Sequence, residues 1–329
     1  MNNRVRILVT GGSGFIGTNV IDFYLAKGFE VLNIDREAPR NKNHNHLWKR
    51  VDILDMPGLK KIIFEFNPTH VFHLAARTDL NEKKSLEGYK ANSKGVENII
   101  EVLNKCDRLE RVLFTSSMYV CSPGYSPSSY EDYSPHTVYG ESKVLSEKIV
   151  KNSTISNFEW VIIRPTSLWG PWFGIPYNEF FKRVLNGTYF KIIGKTATKT
   201  FGFVFNSIYQ MDRLLFCDKS LVHKKTFYIG DSPALNINDW ADEIALQANK
   251  KLISVPLIVV RSAGWFGDFL SLFKIRFPLQ SFRVKNMTTD NVILLLDDTL
   301  KMAPDQPHDT KAGVAITLEW IKSDDAGLL

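Results

Sequence analysis

The sequence predicts an α/β protein built on a parallel sheet with helices on both faces. Strand and helix patterns alternate through the first half of the chain, and a glycine-rich turn joins the first strand to the first helix. The strands are short apolar runs, as expected for strands that are buried on both sides. At 329 residues and 44% hydrophobic composition, the chain is long and apolar enough to bury a large core.

The predicted elements follow one another at short intervals. Gly28 ends the first helix, Asn67-Pro68 ends the second, and the polar residues 41–46 are expected to form a surface loop. Strands are expected at 4–10, 30–34, 70–74, 111–115 and 160–163, with a short one before Asp52, and helices at 15–27, 56–66, 86–105 and 136–151.

After Arg164-Pro165 the pattern loosens, and the remaining segments divide between two units. A strand at 203–205 with a helix at 208–216, and a strand at 226–229, are expected to return to the sheet layer. Segments 239–248 and 314–321 are expected in a smaller lobe. We therefore predict a first domain of residues 1–165, with 200–230 returning to it, and a discontinuous lobe of residues 166–199 and 231–329.

Charge and cysteine usage narrow the class of partner and the compartment. Residues 176–290 carry 16 Lys and Arg against 9 Asp and Glu, a local excess of 16 − 9 = +7, which suits an anionic partner. No nucleic-acid-binding motif accompanies this charge, so we predict no nucleic-acid partner. The three cysteines form no metal or redox motif, which predicts no metal site and a reducing, cytoplasmic location.

The most apolar late stretch, residues 252–273, is interrupted by Pro256, Arg261 and Asp268. It is too broken to cross a bilayer, so no transmembrane segment is predicted. A helix on a membrane surface is one interpretation. We prefer a core or subunit-contact helix.

The turn after the first strand has the spacing of a dinucleotide site. Gly11 permits a tight turn, Gly14 lets the backbone approach a pyrophosphate, and Gly17 lets helix and strand pack closely, with Phe15 and Ile16 between them. The start of the helix then presents free N–H groups to the phosphates. This order of elements predicts a Rossmann-type, doubly wound parallel sheet.

An acid follows at the end of the second strand. Asp35 is placed to accept hydrogen bonds from a ribose 2′-hydroxyl and to repel a 2′-phosphate, which favours NAD over NADP. Arg36 beside it is able to accommodate a 2′-phosphate, so NADP stays the alternative. Asp52 and Ile53 are expected near the adenine, although a surface turn also explains Asp52.

Tyr139 and Lys143 lie four residues apart on one predicted helix face. Tyrosine ordinarily has a pKa of about 10, so a neighbouring ammonium and a cationic nicotinamide are needed to make it a base. Thr115-Ser116-Ser117 ends a predicted strand, and a hydroxyl there can hold the substrate oxygen. Ser117 is preferred and Ser116 is the alternative.

Taken together, these motifs resemble the extended short-chain dehydrogenase/reductases, in particular their nucleotide-sugar epimerase/dehydratase branch. The resemblance implies NAD as cofactor, Tyr139 as catalytic base, Lys143 as its partner and Ser117 as a ligand of the substrate hydroxyl. It also assigns six further positions to the cofactor site: Leu74, Ala75, Ala76, Asn92, Thr115 and Pro165.

The chain departs from this branch at three places. Met118 and Tyr119 stand where its dehydratases usually carry an Asp-Glu pair, and neither can perform carboxylate chemistry, which disfavours a dehydratase. Trp169 stands where this branch usually has a Tyr before Gly-Pro. The substitution either alters the substrate pocket or affects packing alone. Residues 199–206 lack the Arg and the acids usual in that stretch, so a standard UDP-galactose-type site is doubtful.

The resemblance and the basic second half together predict a nucleotide-diphosphate sugar as substrate. Lys191, Lys195, Lys199 and Arg283 are candidate diphosphate contacts or solvated surface cations. Asn178 is a sugar or phosphate contact or a helix cap. Thr78, Met118 and Thr166 are also assigned to the substrate side.

Three functions follow. The first is an NAD-dependent epimerase. The second is a nucleotide-sugar dehydrogenase or keto-sugar reductase with exchanging NAD(P), and the third is a non-catalytic NAD(P)-binding protein. The long helices at 86–105 and 136–151 also allow a homodimer.

Overall fold

The computed structural model describes residues 4–273, 275 and 277–323. Its strands are β1 (Arg6–Thr10), β2 (Glu30–Asp35), β3 (Trp48–Arg50), β4 (His70–His73), β5 (Arg111–Thr115), β6 (Glu159–Pro165), β7 (Ser167–Trp169), β8 (Phe190–Ile193), β9 (Thr198–Lys199), β10 (Phe201–Phe203), β11 (Lys225–Ile229), β12 (Leu235–Asn236) and β13 (Ile253–Pro256). Its helices are α1 (Phe15–Ala26), α2 (Met56–Phe66), α3 (Lys90–Leu103), α4 (Val138–Asn152), α5 (Tyr177–Leu185), α6 (Val204–Phe216), α7 (Lys219–Val222), α8 (Ile237–Gln247), α9 (Leu257–Leu272), α10 (Ser281–Thr288), α11 (Asp297–Met302) and α12 (Thr310–Lys322).

A seven-stranded sheet in the order β11-β6-β5-β4-β1-β2-β3 forms the centre and confirms the predicted fold class. Each neighbouring pair in it is parallel. The strand order reverses between β1 and β4, where Thr10 is in register with His73. In such sheets ligands bind at the carboxyl ends of the strands beside this reversal, so the topology places a crevice after Thr10.

Two apolar layers cover the sheet. On one face α2 and α3 pack through residues such as Leu59, Ile63 and Ile99. On the other face α1 and α6 pack through Val20, Ile21 and further apolar residues. A separate, largely aromatic cluster lies outside these two layers, and its members include Trp169, Phe181, Phe203, Trp240 and Leu318.

Two predictions about strands and loops are wrong. The expected strand at 203–205 is instead β10, which ends at Phe203 and pairs with β7 outside the central sheet. Within the predicted return segment 200–230, β11 joins the seven-stranded sheet and α6 packs against that sheet. The expected loop at 41–46 is a 3-10 helix, Lys42–Leu47, because His44 is buried and hydrogen-bonds Asp22 at 2.7 Å.

The observed bounds of two helices differ from the predicted bounds because of local structure at their first residues. The helix predicted at 86–105 begins as a 3-10 turn, Leu86–Tyr89, and becomes α-helical from Lys90. The helix predicted at 136–151 starts at Val138, because the Thr137 side chain accepts a hydrogen bond from the Gly140 N–H and caps it. The predicted division at residue 165 stays a prediction.

The segment at 252–273 forms β13 and then α9. Of its two preferred interpretations, the core helix is wrong and the subunit-contact helix stays a prediction. Only Val260, Gly264 and Gly267 of this helix are buried. Among the described residues, no helix combines the length and apolar character required to cross a bilayer.

Candidate active site

The turn from β1 into α1 is built from glycines that other side chains would not fit. Gly11 has φ +74°, and a Cβ there would lie 2.6 Å from the backbone nitrogen of Ala75. A Cβ on Gly17 would lie 2.5 Å from both the Gly11 oxygen and the Gly12 Cα. A Cβ on Gly14 would meet only the Gly11 oxygen, at 3.2 Å, so this residue stands at the open side of the turn.

Helix α1 begins without a capping side chain at Gly14. Its first N–H groups, which have no partner within the helix, therefore point towards the carboxyl edge of the sheet. This is the physical arrangement that binds a phosphate. The glycine turn, the uncapped helix and an acid at the end of β2 fit a dinucleotide.

A cleft of about 500 Å³ opens at this edge. It brings together nineteen of the residues predicted from the sequence: Gly11, Gly14, Phe15, Ile16, Gly17, Asp35, Arg36, Asp52, Ile53, Leu74, Ala75, Ala76, Thr78, Thr115, Ser117, Tyr139, Lys143, Pro165 and Thr166. It does not bring in Asn92, Met118, Asn178, Lys199 or Arg283. The glycine turn and the Tyr139–Lys143 pair thus share one cleft.

Asp35 ties the end of β2 to the glycine turn. Its carboxylate accepts hydrogen bonds from the N–H groups of Ser13 and Glu37, both at 3.0 Å. A carboxylate has about four lone-pair positions, so it can accept further donors. Arg40, which the sequence did not single out, lines the same end of the cleft and donates to the Trp172 carbonyl at 2.5 Å.

The Tyr139 and Lys143 side chains on α4 are both buried, and the Tyr139 ring lies 6.1 Å from the rings of Tyr89 and Tyr119. The Lys143 ammonium donates to the Thr115 carbonyl at 2.9 Å, which ties α4 to the end of β5. The Ser117 hydroxyl accepts a hydrogen bond from the Tyr119 N–H at 3.1 Å, and it also lies beside the Tyr139 phenol.

The structure separates the two candidate serines. Ser116 is buried and donates to a Glu147 carboxylate oxygen at 2.6 Å, so its hydroxyl proton is engaged behind the cleft. Ser117 lines the cleft, and its hydroxyl lies beside the Tyr139 phenol on the side where a ligand would bind. The geometry therefore favours Ser117 as the substrate hydroxyl ligand.

Burial controls the charge of both catalytic candidates. It raises the pKa of Tyr139 to about 12, although the hydrogen bond with Ser117 acts in the opposite direction. Burial also lowers the pKa of Lys143 to about 8, against the attraction of Glu147. Among the chain's own groups, desolvation thus outweighs the acidifying effect that the sequence predicts for the ammonium.

Asn92 holds the cleft wall instead of lining it. Its side chain accepts from the Arg77 N–H at 2.8 Å and donates to the Arg77 carbonyl at 2.9 Å and to Ser142 Oγ at 2.9 Å. These bonds join the loop after β4 to α4. Arg77 itself lines the cleft and forms a two-point ion pair with Asp79, a contact that the sequence did not predict.

A buried ion pair supports α4 from behind. Glu147 and Arg164 are 1% and 0% exposed, and the guanidinium donates to both carboxylate oxygens at 2.8 Å. Burial favours a neutral Glu147, but the adjacent Arg164 guanidinium holds the carboxyl pKa below its ordinary value. The sequence signal that could have revealed this pair is a single Arg inside the apolar strand β6.

The predicted substrate cations are engaged elsewhere. Lys191 pairs with Asp242 at 2.9 Å, Lys199 donates to the Asn286 carbonyl at 2.8 Å, and Arg283 donates to the Pro278 carbonyl at 2.9 Å. Asn178 lies inside the first turn of α5 and accepts from the Glu179 N–H at 2.7 Å. Met118 packs beside Tyr228 and Ile293.

The chain is similar to one family and to enzymes within it. The NAD dependent epimerase/dehydratase family matches residues 7–208. A 3-beta-hydroxysteroid dehydrogenase of Mycolicibacterium neoaurum is 26% identical over 283 residues, which cover 79% of this chain and 76% of that protein. UDP-glucose 4-epimerase 4 of Oryza sativa subsp. japonica is 33% identical over 174 residues, 48% of this chain and 47% of that protein.

Solved structures share the fold along nearly the whole chain. The UDP-glucuronic acid 4-epimerase of Bacillus cereus, crystallised with UDP-glucuronic acid and NAD, superposes with a TM-score of 0.74 at 20% identity and covers 97% of this chain and 99% of that one. The UDP-glucose 4-epimerase of Thermus thermophilus in complex with NAD gives a TM-score of 0.71 at 21% identity and covers 97% of this chain and 100% of that one.

Proposed function

Because this chain belongs to the NAD dependent epimerase/dehydratase family, we propose that it is a nucleotide-sugar epimerase in which Tyr139 moves the proton of the reacting hydroxyl. NAD is the cofactor of the family. The observation that carries the proposal is the meeting of Tyr139, Lys143 and Ser117 with the glycine turn in one cleft. The relatives include epimerases, dehydrogenases and a decarboxylase, so the chain is an enzyme and the non-catalytic alternative is set aside.

The cofactor contacts follow from the position of each residue in the cleft. The turn Gly11–Gly17 and the start of α1 would hold the pyrophosphate, and Asp35 would accept the adenosine ribose hydroxyls. Tyr139, Lys143 and Pro165 would surround the nicotinamide end. When bound there, NAD accepts and returns a hydride and places a positive ring near Tyr139.

The chain's own groups handle the proton and the substrate oxygen. Ser117 holds the reacting hydroxyl by a hydrogen bond, and the Tyr139 phenolate removes its proton, then returns it after the sugar has turned. Lys143 would supply an ammonium on the same helix face, and such a charge favours the phenolate form of a neighbouring phenol. Met118 and Tyr119 hold the positions beside Ser117, and neither can eliminate water as a carboxylate does.

A second candidate is a net dehydrogenase that acts on an apolar alcohol. The 3-beta-hydroxysteroid dehydrogenase relative spans 79% of this chain, whereas the UDP-glucose epimerase relative spans 48%. Leu168 and Ile175 line the substrate side of the cleft, and the predicted lysine contacts Lys191 and Lys199 lie outside it. Tyr139 would perform the same proton transfer in this reaction.

Product analysis separates the two reactions. The enzyme with NAD should be incubated with a panel of UDP-, GDP- and dTDP-sugars and, in parallel, with a hydroxysteroid. An epimerase converts one sugar into its epimer with no net NADH. Stoichiometric NADH from the steroid or from a sugar would favour the dehydrogenase, and turnover of neither class would contradict both.

Replacing Asp35 by Asn should weaken NAD binding and reduce the preference for NAD over NADP. Loss of a charged acceptor for the ribose hydroxyls is worth roughly 1.5–3 kcal/mol, which is about 10- to 100-fold in affinity. Arg36 and Arg40, which line the same end of the cleft, would then be available to a 2′-phosphate. Titration with both dinucleotides measures the change. Glu37→Gln, at an exposed neighbour, is the control, and an unchanged NAD affinity in Asp35→Asn would refute the assignment.

With NAD bound, the cationic nicotinamide would lower the Tyr139 pKa and so supply the phenolate at neutral pH. Under these conditions kcat/KM should fall as the pH rises through about 8, because Lys143 loses its proton at its lowered pKa. His73 stays neutral over this range, since burial lowers its pKa to about 3. The pH profile should be recorded at saturating NAD for the wild type and for Lys148→Gln, an exposed lysine of the same helix. The control should keep the falling limb. A wild-type profile that rises or stays flat to pH 10 would show that the ammonium is not needed.

A further inference from the structure

Helix α9 carries a broad apolar face that nothing in the described part of the chain covers. Trp265 is 65% exposed and Leu272 is 77% exposed. Isolated apolar residues on a surface are common, but a contiguous group of large ones marks a contact site. The exposed apolar side chains of this face include Ile258, Trp265, Phe266, Phe269, Leu272 and Phe273.

The large residues of α9 point outward because its small residues form the packed side. Positions 258, 265, 269 and 272 recur at intervals of three, four or seven, which places them on one face of the helix. On the opposite face Gly264 and Gly267 lie against the segment that leads into α10, and a Cβ on Gly264 would be 2.9 Å from Val284. A helix that faces water has the reverse arrangement.

The segment that carries this face and the helix packed beneath it are positively charged. Residues 252–288 contain five basic residues (Arg261, Lys274, Arg276, Arg283 and Lys285) and one acid, Asp268, so 5 − 1 = +4. Arg261, Arg283 and Lys285 are exposed, while Lys274 and Arg276 lie outside the described residues. The carboxylate of Asp268 accepts from the Ser281 N–H at 3.2 Å and so caps α10.

We propose that α9 and α10 form a docking element that rests in the interface of a bilayer containing anionic phospholipid. Aromatic and aliphatic side chains of α9 enter the boundary between headgroups and acyl chains. The exposed basic residues of α9 and α10 attract the lipid phosphates. With 16 residues, α9 is about 24 Å long and too short to span the hydrocarbon core, so it would lie parallel to the surface.

The charge also decides against a second copy of this chain as the occupant. A two-fold dimer through this face would place the same surface on both sides of the contact. The basic residues of the two copies would then oppose each other. In each copy only the Asp268 carboxylate of residues 252–288, which accepts from the Ser281 N–H, would offset them. An anionic bilayer complements the same charge.

Vesicle flotation of the full-length enzyme tests the proposal. One set of vesicles is phosphatidylcholine alone, and the other is equal parts phosphatidylcholine and phosphatidylglycerol. The wild type should float with the anionic set. Trp265→Ser combined with Phe269→Ser should bind it roughly tenfold less tightly or worse. Leu246→Ser, which removes a 73% exposed leucine of α8, should bind as the wild type does.

A second variant tests the charge without changing the apolar face. Arg261→Ser combined with Lys285→Ser should lose about fivefold in affinity per charge for the anionic vesicles. Cofactor affinity and circular dichroism establish that each variant is folded. A wild type that floats with neither set would overturn the proposal, as would equal binding by the Trp265/Phe269 variant. A dimer in sedimentation that this variant converts to monomer, without vesicle binding by the wild type, would identify the face as a contact between copies.

Discussion

Replacing Tyr139 by Phe should lower kcat about 10²- to 10⁴-fold while NAD affinity stays nearly unchanged. The change removes one oxygen, the group that we propose exchanges a proton with the substrate hydroxyl, and leaves the buried ring in place. Turnover of the best substrate from the panel and titration with NAD measure the two effects separately.

Tyr119 offers a matched control because its ring is 6.1 Å from that of Tyr139 and it is half-buried. Burial raises the pKa of Tyr119 as well, but its phenol does not line the cleft. Tyr119→Phe should therefore keep kcat within the range of a packing change. If Tyr139→Phe retains full turnover, the assigned base is wrong, whichever substrate is used.

Replacing Arg164 by Met should destabilise the fold by about 3–5 kcal/mol, because the buried Glu147 carboxylate loses its two-point partner and keeps only Lys151, at 3.5 Å, as a cation. The contacts of this guanidinium with the Tyr130 carbonyl at 2.7 Å and the Tyr228 hydroxyl at 3.2 Å are lost as well. Denaturant unfolding at neutral pH measures the loss.

Two further variants show that the buried charge causes this effect. Combining Arg164→Met with Glu147→Leu removes both charges and should recover part of the stability. Glu97→Gln breaks a surface pair with Lys94, whose side chains are 49% and 60% exposed, and should cost less than about 1 kcal/mol. Similar losses for the buried and surface variants would contradict the account.

The sign of the pH dependence follows from Glu147. Its pKa in the wild type is lowered on folding, because the adjacent Arg164 outweighs burial. The pair therefore contributes stability above the unfolded pKa of about 4.3, and this contribution is lost as the pH falls through the folded value. Without Arg164, burial raises that pKa, so the deficit of Arg164→Met should shrink as the pH is lowered from 7.5 towards 5.

The elements that position the cofactor were predictable because their signals are local. The turn from Gly11 to Gly17 needs its glycines for contacts within a few residues or with the adjacent strand end. Tyr139 and Lys143 share a helix face at a fixed spacing. Both signals arise from local backbone geometry, so a single sequence is enough to recognise them.

The substrate side was less predictable because its contacts are distant in sequence. Lys191 pairs with Asp242, and Lys199 donates to the Asn286 carbonyl. The local excess of positive charge therefore wrongly assigned both lysines to the substrate diphosphate. Arg40 and Arg77 line the cleft from loops that carry no motif. The pairing of Arg164 with Glu147 joins a strand to a helix and gives only a lone buried arginine as a signal.

The most direct test of the central assignment is a crystal structure of the enzyme with NAD and the nucleotide sugar that it turns over. The account predicts the pyrophosphate on the turn from Gly11 to Gly17. It also predicts the Tyr139 and Ser117 oxygens about 2.6–3.2 Å from the same sugar hydroxyl. A nicotinamide ring at the far end of the cleft, with Tyr139 in contact with neither the ring nor the sugar, would contradict it.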